Sequence, residues 1–207
     1  MTTTERTSER TTERRPRRAF DRDKALEIAL TEFWRHGYET TSVAMLTKAM
    51  GINPPSLYAA FGDKRQLFSE AVQLYSRTHG SQGARALDEP TARGAVEALL
   101  RFAAADYADP SHPPGCFVIN GATNCTPAAE DVKAELRAVR EATKRAIEEK
   151  IAADVATGQL PDTVDANALA TFYAAVIQGM DTQACDGVDR ATLERVADIA
   201  MAAWPDA

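Results

Sequence analysis

Between Gly37 and Gly62 a helical apolar pattern is interrupted four times, at Gly37, at Gly51, at the Pro54-Pro55 pair and at Gly62. Punctuation at this density leaves room only for helices of about two turns. A proline is accepted in the first turn of a helix, where its missing N–H had no intrahelical partner, and it pushes the preceding residue out of the helical region. The pair therefore reads as a start, with Asn53 as N-cap, Pro54 as first helical residue, and Leu57, Ala60 and Phe61 turned inward before Gly62 ends the run. Upstream, "DRDKALEIALTEFWRHG" predicts a helix of about four turns, capped by Asp21, built on Leu26, Leu30 and Phe33, and stopped by Gly37. "TTSVAMLTKAMG" predicts a short second helix with Thr41 or Ser42 as cap and Val43, Leu46 and Met50 on its buried side. Asp63, with Gln66 three residues on, is a capping-box start for a fourth helix that runs to Gly80. Two short helices joined around a glycine make a helix-turn-helix.

Beyond Gly80 the pattern stays helical, with helices predicted at about 91–108, 116–124, 128–157, 165–185 and 189–204, separated by Gly- and Pro-bearing breaks. No strand alternation and no internal repeat is present. The expected fold class is all-α. An Arg-rich arm, expected to be disordered, covers 1–19; a three-helix helix-turn-helix DNA-binding domain covers 20–65; and a helical ligand-binding and dimerisation domain covers 66–207.

No run approaches the roughly 18 apolar residues of a membrane helix, and the N-terminus is Thr, Glu and Arg rather than an apolar signal core, which predicts a cytoplasmic protein. Cys116, Cys125 and Cys185 form no C-x-x-C pair, so neither a disulfide framework nor a zinc site is expected. His36, His79 and His112 are scattered along the chain and predict no metal site. The net charge of −6 speaks against a polyanionic partner until it is divided: residues 1–80 carry 13 Lys and Arg against 10 Asp and Glu, and the excess acid lies in the remainder. A polyanion feels the local field within a Debye length, so the N-terminal part can face DNA while the rest repels it.

The stretches "ALEIALTEFWRHGYETTSV", "LTKAMGI" and "SLYAAFGDKRQLF" resemble the DNA-binding domain of the tetracycline-repressor (TetR) family of bacterial transcription regulators. The resemblance covers residues 14–68; beyond it only length and helical pattern correspond. It implies a homodimer whose paired third helices enter successive major grooves of a near-palindromic operator, with no cofactor and no catalytic residue. Carried over position by position, it implies that Thr41 or Ser42 hydrogen-bonds phosphate, Tyr58 donates its hydroxyl to the DNA backbone, and Lys64 neutralises a phosphate, with Ser56 as a further phosphate contact. Helix starts at Thr41, Asn53 and Asp63 cluster in this module, and a helix N-terminus attracts phosphate.

The outward face of the third helix departs from many relatives. Pro54, Pro55 and Ala59, with Ala60 beside them, offer apolar contact such as to a thymine methyl, where base reading normally uses donors and acceptors. Specificity is then expected from DNA shape and from the arm "ERRPRRAFDRDK", whose Arg-Pro-Arg is similar to a minor-groove hook without its glycine. Arg14, Arg15, Arg17 and Arg18 are expected to enter an adjacent minor groove.

In the C-terminal part, "HPPGCFVINGATNC" mixes apolar and small polar groups, so Cys116, Phe117, Ile119, Asn120 and Cys125, with Phe102 and Tyr107, are candidate lining of a pocket for a small-molecule effector. Apolar stripes on the last two helices suit a dimer seam, with Phe172, Val176, Gly179, Met180, Val196, Ala200 and Trp204 as its candidates. The leading reading is a ligand-responsive repressor, cytoplasmic and nucleoid-associated when bound. A DNA-binding regulator without effector, and a helical enzyme with a vestigial helix-turn-helix, are the alternatives. The enzyme lacks any Ser-His-Asp order, metal spacing or Gly-rich phosphate loop.

Overall fold

The structure, a computed structural model, describes residues 20–123 and 125–205. The expectations for the arm, including Arg14, Arg15, Arg17 and Arg18, lie outside the described residues. Among the described residues every regular element is helical.

Between Gly37 and Gly62 the predicted punctuation is realised at each break. Helix α1 (Arg22–Thr40) starts at Asp21, whose carboxylate accepts the Lys24 N–H, and it is broken at Gly37, which stands at φ 75°. The α2 helix (Val43–Met50) is capped by Ser42 and closed by Gly51 in the left-handed region. Pro54 and Pro55 open α3 (Pro54–Phe61), where the Asn53 side chain accepts the Ser56 N–H at 2.9 Å. Asp63 caps α4 (Lys64–Tyr75) through the Gln66 N–H at 2.8 Å. Leu46, Leu57, Leu67, Phe33 and Phe68 are fully buried between these four helices. At about 1.5–3 kcal/mol for each large apolar side chain, their burial is what orders helices too short to persist alone.

The fourth helix does not end at Gly80. Gly80 is right-handed (φ −60°, ψ −36°), so the chain passes through a π-turn at Ser76–Gly80 into α5 (Ser81–Arg85) and a 3-10 turn at Ala86–Asp88. Next come α6 (Ala92–Tyr107), α7 (Phe117–Asn120), a 3-10 turn at Pro127–Ala129, α8 (Glu130–Ala156), α9 (Ala166–Cys185) and α10 (Arg190–Met201). The helix expected over 116–124 is only one turn, because its start has no side-chain cap and turns follow from Gly121. The last helix stops at Met201, three residues before Trp204.

Helices α6, α8, α9 and α10 pack around Leu100, Leu136, Ile147, Ile151, Tyr173 and Leu193, all fully buried. Arg101 of α6 ties α10 down through the Asp198 carboxylate at 2.5 Å and the Glu194 carbonyl at 3.1 Å. An aromatic cluster of Trp34, Phe68, Tyr75 and Phe117 joins the two halves, with ring centroids 5.0–6.4 Å apart. No helix among the described residues is long and apolar enough to cross a membrane.

Candidate nucleic-acid interface

Helix α3 buries Leu57 and Phe61 and leaves Pro54, Pro55, Tyr58 and Ala59 in solvent. These four positions fall on one face by helical spacing. Tyr58 is 49% exposed, unusual for a large aromatic side chain in a short packed helix. The helix is held from behind by Arg22, whose Nε donates to the Ala60 carbonyl at 3.2 Å while its guanidinium grips both carboxylate oxygens of Glu70 at 2.7 Å and covers the Phe61 ring at 4.5 Å. Nη2 is shared between the two oxygens, a charge-assisted contact that ties α1 to α4 behind α3. No periodicity argument finds this clamp, since Arg22 and Glu70 lie 48 residues apart.

Beside α3 stands the start of α2. Ser42 is exposed and its Oγ accepts the Met45 N–H at 3.1 Å, leaving its hydroxyl proton free to donate outward. Thr41 is different. It is fully buried and its hydroxyl donates to the Gly37 carbonyl at 2.6 Å, so it braces the break in α1 and is not available to a phosphate. Of the expected pair, only Ser42 reaches the surface. Ser56 is half-buried.

Lys64, at the first turn of α4, lies over the Tyr38 ring at 4.2 Å and 3.5 Å from the Glu39 carbonyl oxygen. Partial burial lowers its pKa, and Glu39 works against that shift. The ammonium is thus held in place by an aromatic face rather than waving in solvent. Asp63 next to it already places a carboxylate at this helix start, which makes the N-terminus of α4 a poorer anion site than that of α2.

Behind this module, α4 to α9 line a half-open cavity of about 180 Å3, with Tyr75, Phe102, Tyr107, Cys116 and Ile119 on its apolar side and Arg140 on its basic side. The Tyr75 hydroxyl donates to the Cys116 sulfur at 3.2 Å, and burial raises both groups' pKa. Three expected lining residues lie elsewhere. Phe117 is fully buried in the aromatic cluster. Asn120 turns away to donate to Asp181 at 3.0 Å and Cys185 at 3.3 Å. Cys125 lines a separate surface cleft with Gly37 and Glu39.

The seam expected on the last helices is likewise divided. Met180, Ala200 and Trp204 are buried inside the chain, where the Tyr173 hydroxyl donates to the Ala200 carbonyl at 3.1 Å and Trp204 lies 5.5 Å from the Tyr173 ring. They are core rather than surface. Phe172 is 43% exposed and Gly179 meets no atom within 4 Å of where a Cβ would stand. Val176 and Val196 are half-buried, and Ile199, absent from the expected set, is 74% exposed.

A short helix-turn-helix with its second helix bared, backed by a helical body that holds a half-open cavity, defines the class of helix-turn-helix transcription regulators. Residues 25–71 match the family described as bacterial regulatory proteins, tetR family, and residues 92–200 match the tetracyclin repressor-like C-terminal domain. The chain belongs to the TetR family. It is similar to the HTH-type transcriptional repressor ComR of Escherichia coli strain K12, at 31% identity over 91% of each chain. Similarity to the repressor BdcR of the same strain is 38% over 131 residues, covering 62% of this chain and 66% of BdcR. Among solved structures, a cysteine mutant of the TetR family regulator CifR complexed with 26 bp operator DNA has a TM-score of 0.86 and 45% identity, covering 92% of this chain and 100% of that one.

Proposed function

We propose that this chain is a transcriptional repressor that acts as a homodimer on a near-palindromic operator and leaves DNA when a small molecule enters the cavity behind α4. The observation that carries the reading is the bared face of α3, donor-poor and rigidly backed, next to the exposed N-terminus of α2. A smooth face of Pro54, Pro55 and Ala59 suits close approach to a major-groove floor and contact with thymine methyl groups. Ser42, Ser56, Tyr58 and Lys64 supply phosphate contacts that set register, and Asn53 acts by fixing the start of α3. Arg14, Arg15, Arg17 and Arg18 add minor-groove charge. Relatives named as repressors, and the CifR complex with operator DNA, support the same reading.

The dimer face includes Phe172, Val176, Gly179 and Val196, extended by Ile199, which are among the apolar or small positions of α9 and α10 that the chain itself leaves at least partly uncovered. The DNA-binding unit and the effector unit divide along α4, which packs against α1 while ending at the cavity wall. A cavity below the usual 300–1,000 Å3 of drug-sized sites selects a small apolar effector, and Arg140 favours one with an acceptor or anionic group. Such a regulator works in the cytoplasm, on the nucleoid when bound.

Footprinting on the DNA upstream of the protein's own gene tests this. A protected near-palindrome, weakened by Tyr58→Phe and Lys64→Gln alike, is the expected result. No protection there would contradict the proposal, as would protection that both substitutions leave unchanged.

A further inference from the structure

We propose that His79, Asp106 and His112 form a binding site for a borderline divalent transition-metal cation such as Zn2+. The three come from separate places: the π-turn after α4, the last turn of α6, and the loop leading into α7. His79 Nδ1 stands 3.0 Å from Asp106 Oδ1, and His112 Nε2 stands 3.6 Å from the same oxygen. All three ligand atoms lie within 4.8 Å of one another. Around a tetrahedral ion with bonds of about 2.0–2.1 Å, ligand atoms are separated by about 3.3–3.4 Å, so the two contacts to Asp106 are near that spacing and the two imidazole nitrogens need to close by at most about 1.4 Å.

A second observation is independent of this spacing. His112 Nδ1 lies 2.8 Å from the Pro113 carbonyl oxygen, which can only accept, so Nδ1 carries the proton. Nε2 of the neutral ring is then a lone pair facing a carboxylate. Asp106 Oδ2 and His112 Nε2 are both buried without a hydrogen-bond partner, on side chains only 10% and 11% exposed. Buried acceptors are rarely left this way. Metal-ligating histidines characteristically donate their other N–H to a backbone carbonyl, and the His112–Pro113 contact has that form. One cation would answer the lone pair, the carboxylate and His79 Nδ1 together, with the His79 proton displaced to Nε2 or to solvent.

Two imidazoles and one carboxylate, without a thiolate, favour Zn2+, Ni2+ or Cu2+ over the oxygen-seeking Mg2+ and Ca2+. Three protein ligands leave one coordination position open. Trp34 of α1 stacks on His112 at 4.6 Å and meets His79 edge-on at 5.0 Å, so occupancy would tie the DNA-binding module to the π-turn and the loop before α7.

The test uses the full chain, stripped with a chelator and titrated with Zn2+ against a competing indicator, without DNA, so its outcome is separate from operator recognition. One Zn2+ per protomer is expected, with quenching or shift of Trp34 fluorescence, and Asp106→Asn should weaken binding by at least about tenfold. Because His112→Gln also removes packing on Trp34, the wild-type chain supplies a variant-free reading: the 15N resonances of His79 Nδ1 and His112 Nε2 should move on adding Zn2+ while those of His36 do not. Absence of binding below millimolar Zn2+ would overturn the proposal. So would binding that Asp106→Asn leaves intact or that leaves those two nitrogens unmoved.

Discussion

Asn53 shows how one side chain can set an element. Its carboxamide is the partner that the Ser56 N–H has in place of an intrahelical carbonyl, and two prolines follow it. Asn53→Ala should cost about 0.5–2 kcal/mol in urea unfolding, and on the proposed docking of α3 operator affinity should fall as well, because the lost cap frays the start of that helix. Asp181 makes a different prediction. It is fully buried, accepts the Cys116 N–H and the Asn120 amide, and burial raises its pKa from 3.8 to about 6. A carboxyl raised in the fold binds its proton more tightly folded than unfolded, so the stability that Asp181 itself contributes is fully present below about pH 4 and is lost as pH climbs through about 6. The loss is at most about 3 kcal/mol. Asp181→Asn keeps the acceptor and cannot ionise, so its stability advantage over wild type should grow between pH 4 and pH 6; parallel curves would contradict this. Asn53 was legible because capping is local. Asp181, Arg22 and the His79–Asp106–His112 group were not, since each depends on partners from 27 to 65 residues away.

At the scale of elements, the breaks were readable where a residue's chemistry forces the backbone: Gly37, Gly51 and Gly62 all stand at positive φ. Gly80 misleads because glycine permits a stop without requiring one, and packing carries the chain on through the π-turn. Periodicity likewise could not say which positions of an apolar stripe the chain's own core covers: Met180, Ala200 and Trp204 are buried within the chain, while Ile199 stays exposed. The link between cavity and DNA-binding module is also tertiary. Cys116 and Ile119 line the cavity at α7, and the carbonyl of Gly121, just past α7, accepts the Tyr38 N–H at 2.8 Å. Tyr38 in turn carries Lys64. Gly121 has no room for a side chain, since a Cβ there would lie 2.8 Å from the Phe117 carbonyl oxygen and 2.9 Å from its ring. Gly121→Ala should therefore destabilise the fold by about 1–3 kcal/mol and weaken the effect of an effector on operator binding, measured by urea unfolding and by fluorescence anisotropy with and without ligand.

For the whole molecule, charge is divided between a basic N-terminal part and an acidic remainder, so the two ends respond oppositely to a polyanion. The arm's four arginines at 14, 15, 17 and 18 should each release counterions on binding. Deleting residues 1–18 is expected to weaken operator binding and to flatten the slope of log affinity against log salt by up to about 0.9 per lost phosphate contact. The family and the helical architecture were legible in the N-terminal third because its residues act locally; the cavity and the dimer face arise from convergence that spacing does not encode. Selection of binding sites from random DNA, run with the wild-type chain and with Ala59→Arg, tests the central claim most directly. A near-palindromic site enriched by the wild type, with altered base preference for Ala59→Arg at similar thermal stability, is the predicted result. Enrichment of no site by the wild type, or an identical profile for both chains, would contradict the reading of α3 as the helix that meets the bases.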